Sequence, residues 1–357
     1  MAKNSKTMRF FLGSSSPRGF YSKFDSLYEP KDGWYCRILK GSPGCGKSNL
    51  IKKVAEAGVK NKTETQYIYC SSDPDSLDGV VLPELKTCVI DGTAPHSMDP
   101  IYPGAVEHII NLGEFWNPKL LRSSREKIIG SNNANVELHS KAKKYLASYG
   151  AINSDTTETE INKIDFGKIK SYAKKLSKKI FTETPAKESK EYLRFISAIS
   201  PQGIIFYEDN LKRFENIYEI VDQHGIAGDL LLRIVRSDAL NHGFDVITCF
   251  NPLSLNERLE SLLFPELNTA VVISNLWHSI SEKIETKKIY AKRFLYDGQE
   301  SYYSDFNKKT ESSLIAEAIS VMKEAKEIHD ELESFYIKAM DFEAIDKVTE
   351  KIISEIF

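Results

Sequence analysis

Short apolar runs alternate with amphipathic stretches in the first part of the chain. Residues 34–39 are apolar apart from Arg37, a pattern typical of a strand that is buried on both faces of a sheet. From residue 50 to residue 58, apolar positions recur on one side of a helix and charged positions occupy the other side. Similar apolar runs predict further strands at 9–12 and 65–70 and a third that ends at Asp91. This alternation predicts an α/β fold.

Two later regions carry apolar residues at helical spacing instead. The first covers residues 104–192, where the spacing at 105–110 and at 169–180 predicts helices and the polar stretch 153–160 predicts a loop. The second covers residues 311–357, where apolar residues recur every 3.5 residues or so, about the period of a helix. This period predicts a long helical hairpin at the end of the chain.

The connection between the first predicted strand and helix has a sequence with its own chemistry. Residues 41–48 read GSPGCGKS and match the P-loop pattern G-x-x-x-x-G-K-[ST]. Glycines let backbone N–H groups converge on a triphosphate, Lys47, expected to be an exposed loop residue, would reach its β- and γ-phosphates, and Ser48 would ligate Mg²⁺. The predicted nucleotide-binding residues are Gly41, Ser42, Pro43, Gly44, Cys45, Gly46, Lys47, Ser48 and Asn49. Loop amides and Lys47 could lower the pKa of Cys45, although a small buried side chain is the favoured interpretation.

Aspartates follow two of the predicted strands. Asp91 ends an apolar run, as in a Walker B segment, and is predicted to bind Mg²⁺ with Ser48; the alternative is an aspartate that only caps the next turn. Asp73, Asp75 and Asp78 form an acidic loop that could orient a water molecule, with Asp73 and Asp75 as the main candidates. The predicted catalytic set is therefore Lys47, Asp91, Asp73 and Asp75.

The second half of the chain repeats the first. Residues 265–279 align with residues 83–97 at a constant offset, and seven of these fifteen positions are identical. We therefore predict two tandem P-loop NTPase-like parallel-sheet units, each followed by a helical region. The predicted boundaries are 1–103 for the active unit, 104–192 for helices, 193–283 for the degenerate unit and 284–357 for the helical hairpin.

The second copy lacks the groups that a nucleotide would need. Residues 224–231 lack the lysine and the hydroxyl of the P-loop, and Asp229 is predicted to lie where phosphate would bind and to repel it. Ile273 stands opposite Asp91. We therefore expect one nucleotide per chain. Glu84 and His96 have counterparts in Glu266 and His278, so structural roles are favoured for both.

The composition of the chain limits which classes of binding partner are expected. The chain has 357 residues, 41% hydrophobic and 27% charged, and its net charge of -2 gives no general bias toward nucleic acid or anionic membranes. Neither a signal-peptide core nor a membrane-spanning run is recognisable, so a cytoplasmic protein is expected. The five cysteines favour reduced thiols. Residues 161–181 contain seven lysines, interpreted as a solvated helix face and not as a nucleic-acid site.

The whole chain resembles an uncharacterised prokaryotic family of duplicated ATPases in the superfamily of P-loop containing nucleoside triphosphate hydrolases. The resemblance lies in GFYS, LKGSPGCGKS, CSSDPDSLDG, PEL and DGTAPH, at residues 19–22, 39–48, 70–79, 83–85 and 91–96. It implies ATP binding and gives no substrate. Many members of the family look able to bind nucleotide in both copies, and this sequence departs from them in the second.

Three hypotheses follow for the function. The leading one is a Mg²⁺-dependent ATPase whose ATP binding or hydrolysis repositions the helical regions, although Gly92 stands after Asp91 where many P-loop ATPases carry a glutamate. The alternatives are a P-loop small-molecule kinase and a nucleotide-gated module that holds a protein partner through the final hairpin. The second unit could complete the first site by lending an arginine, with Arg233, Arg236 and Arg293 as candidates.

Overall fold

The chain folds into two α/β units, each built on a six-stranded sheet and followed by helices. The computed structural model describes residues 6–95 and 97–357, so His96 lies outside the described residues. The first unit and its helices are β1 (Thr7–Phe11), β2 (Gly13–Ser16), β3 (Gly19–Ser22), β4 (Tyr35–Lys40), α1 (Lys47–Lys60), β5 (Thr65–Tyr69), β6 (Leu77–Leu82), β7 (Thr87–Asp91), β8 (Glu107–Asn111), α2 (Pro118–Ser123), α3 (Arg125–Ile161) and α4 (Phe166–Ile180).

The second unit repeats this succession. Its elements are β9 (Glu191–Arg194), β10 (Ser197–Ser200), β11 (Gly203–Phe206), β12 (Asn216–Val221), α5 (Ile226–Asn241), β13 (Val246–Phe250), β14 (Leu259–Phe264), β15 (Thr269–Ser274), β16 (Lys287–Tyr290), α6 (Asp305–Ile337) and α7 (Phe342–Ile356). Short 3₁₀ turns lie at Phe24–Ser26, Pro30–Asp32, Pro83–Leu85, Leu112–Phe115, Glu208–Arg213, Pro265–Leu267 and Ala291–Phe294.

The two sheets have the same strand order and directions. The first is β1-β5-β6-β7-β4-β8 and the second is β9-β13-β14-β15-β12-β16. β6 and β14 run antiparallel to both neighbours, whereas the other pairs are parallel, so the expected parallel sheets are in fact mixed. Residues 83–86 and 265–268 join these strands to β7 and β15, and connections this short join only antiparallel neighbours. The matching order is consistent with a tandem duplication.

The two units meet back to back at their first strands. Phe11 N–H donates to the Phe195 carbonyl and Phe195 N–H donates to the Phe11 carbonyl, both at 2.9 Å. Such an exchange is what two related elements make across a twofold axis. One hydrophobic cluster contains side chains from both sheets, among them Ile38 of the first and Leu263 of the second. The units therefore share a core and are related by a pseudo-twofold axis.

Each unit is packed against the helical hairpin that follows the other unit. α7 lies on α1, α4 lies on α5, and α3 runs along α6. Equivalent backbone hydrogen bonds hold the turn of each hairpin against the opposite unit. Asp341 N–H donates to the Phe115 carbonyl at 2.9 Å, and Asp165 N–H donates to the Phe294 carbonyl at 2.8 Å. We call these elements the crossed hairpins. They place the end of the chain on the first unit.

The structure corrects two predictions made for residues 104–192. Residues 153–160 were predicted as a loop and lie inside α3, because polar partners replace apolar packing there. Thr156 Oγ1 donates to Glu311, and the buried Glu160 accepts from Tyr302 N–H at 2.9 Å. Residues 105–110 were predicted as helical, and they contain β8, the edge strand beside β4.

The C-terminal helices are confirmed, but their packing differs from a simple hairpin. α6 and α7 are joined by a short turn at 338–341. Their apolar faces, however, cover α3 and α1. The apolar period predicted helices correctly, and it carried no information about which surfaces the helices cover.

The structure shows contacts that support the scaffold roles expected for Glu84 and its counterpart. Glu84 accepts from Glu64 N–H at 3.1 Å and pairs with Lys6, while Glu266 pairs with Lys187. His278 stacks on Phe206 and lies 2.6 Å from Glu260. These side chains join elements of the fold to one another.

Candidate functional site

The connection between β4 and α1 turns sharply into the first turn of the helix. Gly44 and Gly46 have φ angles of 72° and 89°, in the left-handed region that favours glycine. A Cβ at Gly44 would lie 2.7 Å from the backbone oxygen of Glu333, so a side chain is also excluded sterically. Helix α1 begins at Lys47, directly after Gly46. The glycines predicted from the motif are thus required by the backbone path.

Lys47 folds back underneath this loop. Its Nζ donates to the carbonyls of Gly41 at 3.0 Å and Ser42 at 2.8 Å. The same atom lies 3.5 Å from Asp91 Oδ2. The side chain is only 8% exposed, so the expectation of an exposed loop lysine is wrong: the ammonium is sheltered by the carbonyls that it binds. The cation and the carboxylate predicted to serve one site therefore lie together.

Asp91 reaches this position because β7 is the parallel neighbour of β4. Leu39 lies opposite Asp91 in the ladder, so the carboxyl ends of the two strands meet. Asp91 Oδ1 accepts from Thr93 N–H at 2.9 Å and from Thr93 Oγ1 at 2.6 Å. The carboxylate thus caps the following turn with one oxygen, as in the alternative interpretation, while its other oxygen faces Lys47.

The other loop residues surround this pair. Ser48 Oγ accepts from Leu77 N–H at 2.9 Å and keeps its proton and a second lone pair for another partner. The buried hydroxyl oxygen of Ser42 has no hydrogen-bond partner in the described part of the chain. Pro43 is half-buried in the loop, and Asn49 is exposed on the first turn of α1.

Cys45 is buried inside the loop with its Sγ 3.7 Å from Lys47 Nζ. Burial raises the pKa of this thiol, and the nearby ammonium only partly opposes that effect. The thiol form is therefore favoured, which supports a small packing residue over a reactive thiolate. The other four cysteines are also free, as the sequence predicted.

The three acids of the 70–79 loop have different surroundings. Asp73 accepts from Ser76 Oγ at 2.7 Å and lies 3.6 Å from Lys326 Nζ of α6. Asp75 accepts from Gln202 Nε2 at 3.0 Å, which ties it to the second unit. Asp78 is buried in β6. Asp73 is therefore the acid of this loop that reaches the helix covering the P-loop.

Helix α6 supplies residues to the site that the sequence did not identify. Glu333 Oε1 accepts from Gly44 N–H at 3.1 Å, so a carboxylate oxygen occupies an amide of the predicted phosphate loop. The imidazole of His329, 3.6 Å from Glu333 Oε1, lowers the pKa of Glu333. These residues lie nearly three hundred positions after the P-loop, and no local pattern could connect them with it.

The corresponding loop of the second unit is closed by its own residues. β12 and α5 are joined by residues 222–225, two fewer than in the first unit, and Gly225 has a φ of 68°. Asp222 Oδ2 accepts from Gly228 N–H at 2.8 Å, and Asp222 Oδ1 accepts from His224 N–H at 3.3 Å. An internal carboxylate therefore holds the amides at the start of α5, which is the position that favours anions.

The acid predicted to exclude phosphate was misplaced. Asp229 Oδ1 accepts from Leu259 N–H at 2.8 Å, and its carboxylate pairs with Arg233. The shorter loop shifts α5 relative to the sequence alignment, so Asp229 moves away from the anion position that Asp222 takes. Ile273, which stands opposite Asp91 in the repeat, is buried and packs against Gly228.

The three candidate arginines make contacts with other parts of the chain than residues 41–49. Arg233 pairs with Asp229 and Arg236 pairs with Glu191. The Arg293 guanidinium lies 4.5 Å from the centre of the Tyr172 ring. The second half of the chain contacts this loop through Glu333 of α6, and the arginine role stays a prediction.

Comparisons of the chain with protein-family models, with curated proteins and with solved structures found no match. Within residues 6–95 and 97–357, no helix is both long and apolar enough to cross a membrane. The same residues contain no group of three or more His, Cys, Asp or Glu side chains that could hold a metal ion. The candidate site therefore rests on the geometry of residues 41–49 and their neighbours.

Proposed function

We propose that the first unit binds one nucleoside triphosphate, with Mg²⁺, at residues 41–49 and hydrolyses it. The observation that carries this proposal is the approach of Lys47 Nζ to Asp91 Oδ2, at 3.5 Å, beneath a glycine turn that opens a helix. ATP is the expected nucleotide because the resemblance described above implies it.

The loop has the chemistry that phosphate requires. Gly44 N–H already binds a charged oxygen, that of Glu333, so the amide is directed toward an anion and is accessible to one. The unpartnered hydroxyl of Ser42 adds a donor within the loop. The start of α1 contributes the partial positive charge of a helix N-terminus. A phosphate group would replace the Glu333 carboxylate at Gly44.

The proposed metal ligands are Ser48 Oγ and Asp91. A hydroxyl and a carboxylate together with phosphate oxygens and water suit the octahedral preference of Mg²⁺. When bound, Mg²⁺ would neutralise negative charge on the phosphates. Lys47 would add a second cation and would exchange its loop carbonyl partners for phosphate oxygens.

A carboxylate that orients water is also present near the loop. Gly92 occupies the position where a glutamate often follows the Walker B aspartate, and Glu333 brings a carboxylate from α6 to the same loop. We assign the water-orienting role to Glu333, which contacts Gly44, or to Asp73, which lies 3.6 Å from Lys326 of the same helix. Nucleotide binding would then displace α6 and so move the crossed hairpins.

The experiment is a calorimetric titration of the full chain with a non-hydrolysable ATP analogue and Mg²⁺. We expect one nucleotide per chain, and Lys47→Met should weaken binding by about tenfold to a hundredfold, since a charge-assisted contact contributes about 1.5–3 kcal/mol. Lys52→Met, on the exposed side of α1, is the matched control and should bind as the wild type does.

Circular dichroism is needed alongside, because Lys47 is buried and holds two loop carbonyls. Unchanged affinity in a folded Lys47→Met chain would refute the nucleotide site. Binding of two nucleotides per chain would refute the conclusion that the loop at 222–225 is closed to phosphate. Release of phosphate from ATP without an added acceptor is the expected activity, whereas release of ADP only with an acceptor would identify a kinase.

A further inference from the structure

A charged cavity lies between the β2–β3 hairpin of the first unit and α5 of the second, and residues 41–49 do not line it. It has a volume of about 540 Å³. Four of its lining side chains are cations and one is an acid, and the wall includes an aromatic ring. The charged and aromatic residues are Arg18, Lys23, Arg233, Arg236, Glu257 and Phe250. We call this cavity the basic pocket.

Two of the four cations form no direct ion pair with a described residue. Within the described residues, the Arg18 guanidinium and the Lys23 ammonium make no hydrogen bond or ion pair with another side chain. Lys23 Nζ lies 4.3 Å from the centre of the Phe250 ring and 4.6 Å from that of Tyr21. Burial lowers the pKa of Lys23, and the negative charges of Glu257 and Glu191 only partly oppose this effect. An anion in the pocket would supply the missing partner.

The other two cations keep free donors. Arg233 uses Nε for Asp229 and one terminal nitrogen for the Glu257 carbonyl, and Arg236 uses Nε and one terminal nitrogen for Glu191. Each guanidinium retains a terminal nitrogen without a partner among the described residues. The carboxylates behind the pocket thus fix the two arginines in place and do not exhaust their donors.

The pseudo-twofold axis provides an internal comparison. The turns at Gly19 and Gly203 match, with φ angles of 109° and 110°, and α1 and α5 both begin after a left-handed glycine. On this superposition the four cations of the basic pocket correspond to uncharged residues in the other half. Arg18, Lys23, Arg233 and Arg236 correspond to Gln202, Tyr207, Val54 and Ala57.

Aromatic side chains fill the equivalent position beside the first unit. Tyr207, the counterpart of Lys23, stacks on Phe11 with ring centres 4.8 Å apart and packs on Tyr69 at 5.2 Å. The fold therefore does not need a cavity or cations at this position, because the equivalent position is closed by aromatic packing. The space and the positive charge are therefore found beside α5 and are absent from the equivalent place beside α1 in the described residues.

We propose that the basic pocket binds a small molecule that carries at least two negative charges, as phosphate or carboxylate groups, together with an apolar or planar part. The volume lies within the range of small-molecule sites, roughly 300–1,000 Å³. Arginine forks match the paired oxygens of phosphate and carboxylate. Phe250 offers an apolar wall beside them. This site is separate from the proposed nucleotide site.

The test is calorimetric titration of the full chain with inorganic pyrophosphate and, separately, with citrate at low salt. The titrations use the Lys47→Met chain, so that binding at residues 41–49 does not add to the measured heat. We expect at least one probe to bind with a dissociation constant in the millimolar range or below, and Arg18→Gln/Lys23→Gln to weaken that binding by about tenfold or more. The two probes distinguish a phosphate from a carboxylate ligand.

Two further variants serve as controls for the loss of binding in Arg18→Gln/Lys23→Gln. Lys119→Gln/Arg122→Gln makes the same change of net charge on exposed α2 and should leave the affinity unchanged. Glu257→Gln removes the acid that lines the pocket and should tighten binding, even if the double variant proves unstable. Binding of neither probe, or equal losses in the double variant and its control, would overturn the proposal, and neither outcome depends on the nucleotide site.

Discussion

Glu333→Gln tests whether α6 restrains the P-loop. In the structure the Glu333 carboxylate accepts the Gly44 N–H bond at 3.1 Å, an amide that we assign to phosphate. Its side chain is 30% exposed, and the adjacent His329 lowers the pKa of Glu333, so the group is charged at neutral pH. A nucleotide must therefore break a charged hydrogen bond before its phosphate can occupy the loop. The glutamine variant replaces that bond with a neutral one.

The magnitude follows from the two kinds of hydrogen bond. A bond to a charged acceptor contributes about 1.5–3 kcal/mol and a neutral one about 0.5–1.5 kcal/mol. The difference, about 1–1.5 kcal/mol, corresponds to nucleotide binding that is roughly five- to tenfold tighter in Glu333→Gln. Repulsion between the displaced carboxylate and the phosphates acts in the same direction, so this figure is a lower bound.

The assay is calorimetric titration with a non-hydrolysable ATP analogue, with and without Mg²⁺. Glu331→Gln is the matched control, because it makes the same charge change on the same helix at an exposed position. Phosphate release by both variants shows whether the Glu333 carboxylate also orients water, in which case turnover falls while affinity rises. An affinity for Glu333→Gln equal to or weaker than that of Glu331→Gln would refute the restraint.

Two further predictions concern Asp91 and Glu311. Asp91→Asn should weaken binding of the ATP analogue more with Mg²⁺ than without it, since Asp91 Oδ2 is the proposed metal-linked oxygen; equal losses would leave Asp91 as a turn cap alone. Burial raises the pKa of Glu311, so its protonated form stabilises the fold at low pH and that stability is lost as the pH rises above about 4.3. Urea unfolding of Glu311→Gln should therefore show a smaller loss of stability from acid to neutral pH, by up to about 1.4 kcal/mol for each unit of raised pKa. An unchanged pH slope, matching that of the exposed control Glu317→Gln, would contradict this.

The sequence predicted the features that local patterns determine. The glycines at 44 and 46, the start of α1 beside Lys47 and the strand ending at Asp91 all follow from residues close in the chain. The tandem arrangement was also predicted, because a repeat is visible without knowing any contact. Strand direction was missed at β6, where the four-residue connection after Leu82 decides it.

The features that were missed depend on distant contacts. Glu333 reaches Gly44 only because α6 follows α3 across the molecule and its end covers the other unit. Asp222 takes the anion position of α5 because the second loop is two residues shorter, a deletion that alignment by identical residues does not show. In both cases the packing of whole helices and strands brings a carboxylate to a backbone amide. The local sequence around each residue does not predict such a contact.

The crossed hairpins give a physical reason for a second unit in which Asp222 closes the loop before α5. α7 follows that unit, and it buries Ile345 and Ile352, each about 3% exposed, against the first unit beside α1. Two buried isoleucines contribute about 3–6 kcal/mol, a large share of the 5–15 kcal/mol that stabilises an ordinary domain. Loss of the second unit would detach this cover and would release Glu333 from Gly44 as well. The second unit therefore holds in place both the packing of α1 and the carboxylate that occupies the proposed nucleotide loop, so it can stabilise the first unit without a phosphate site of its own.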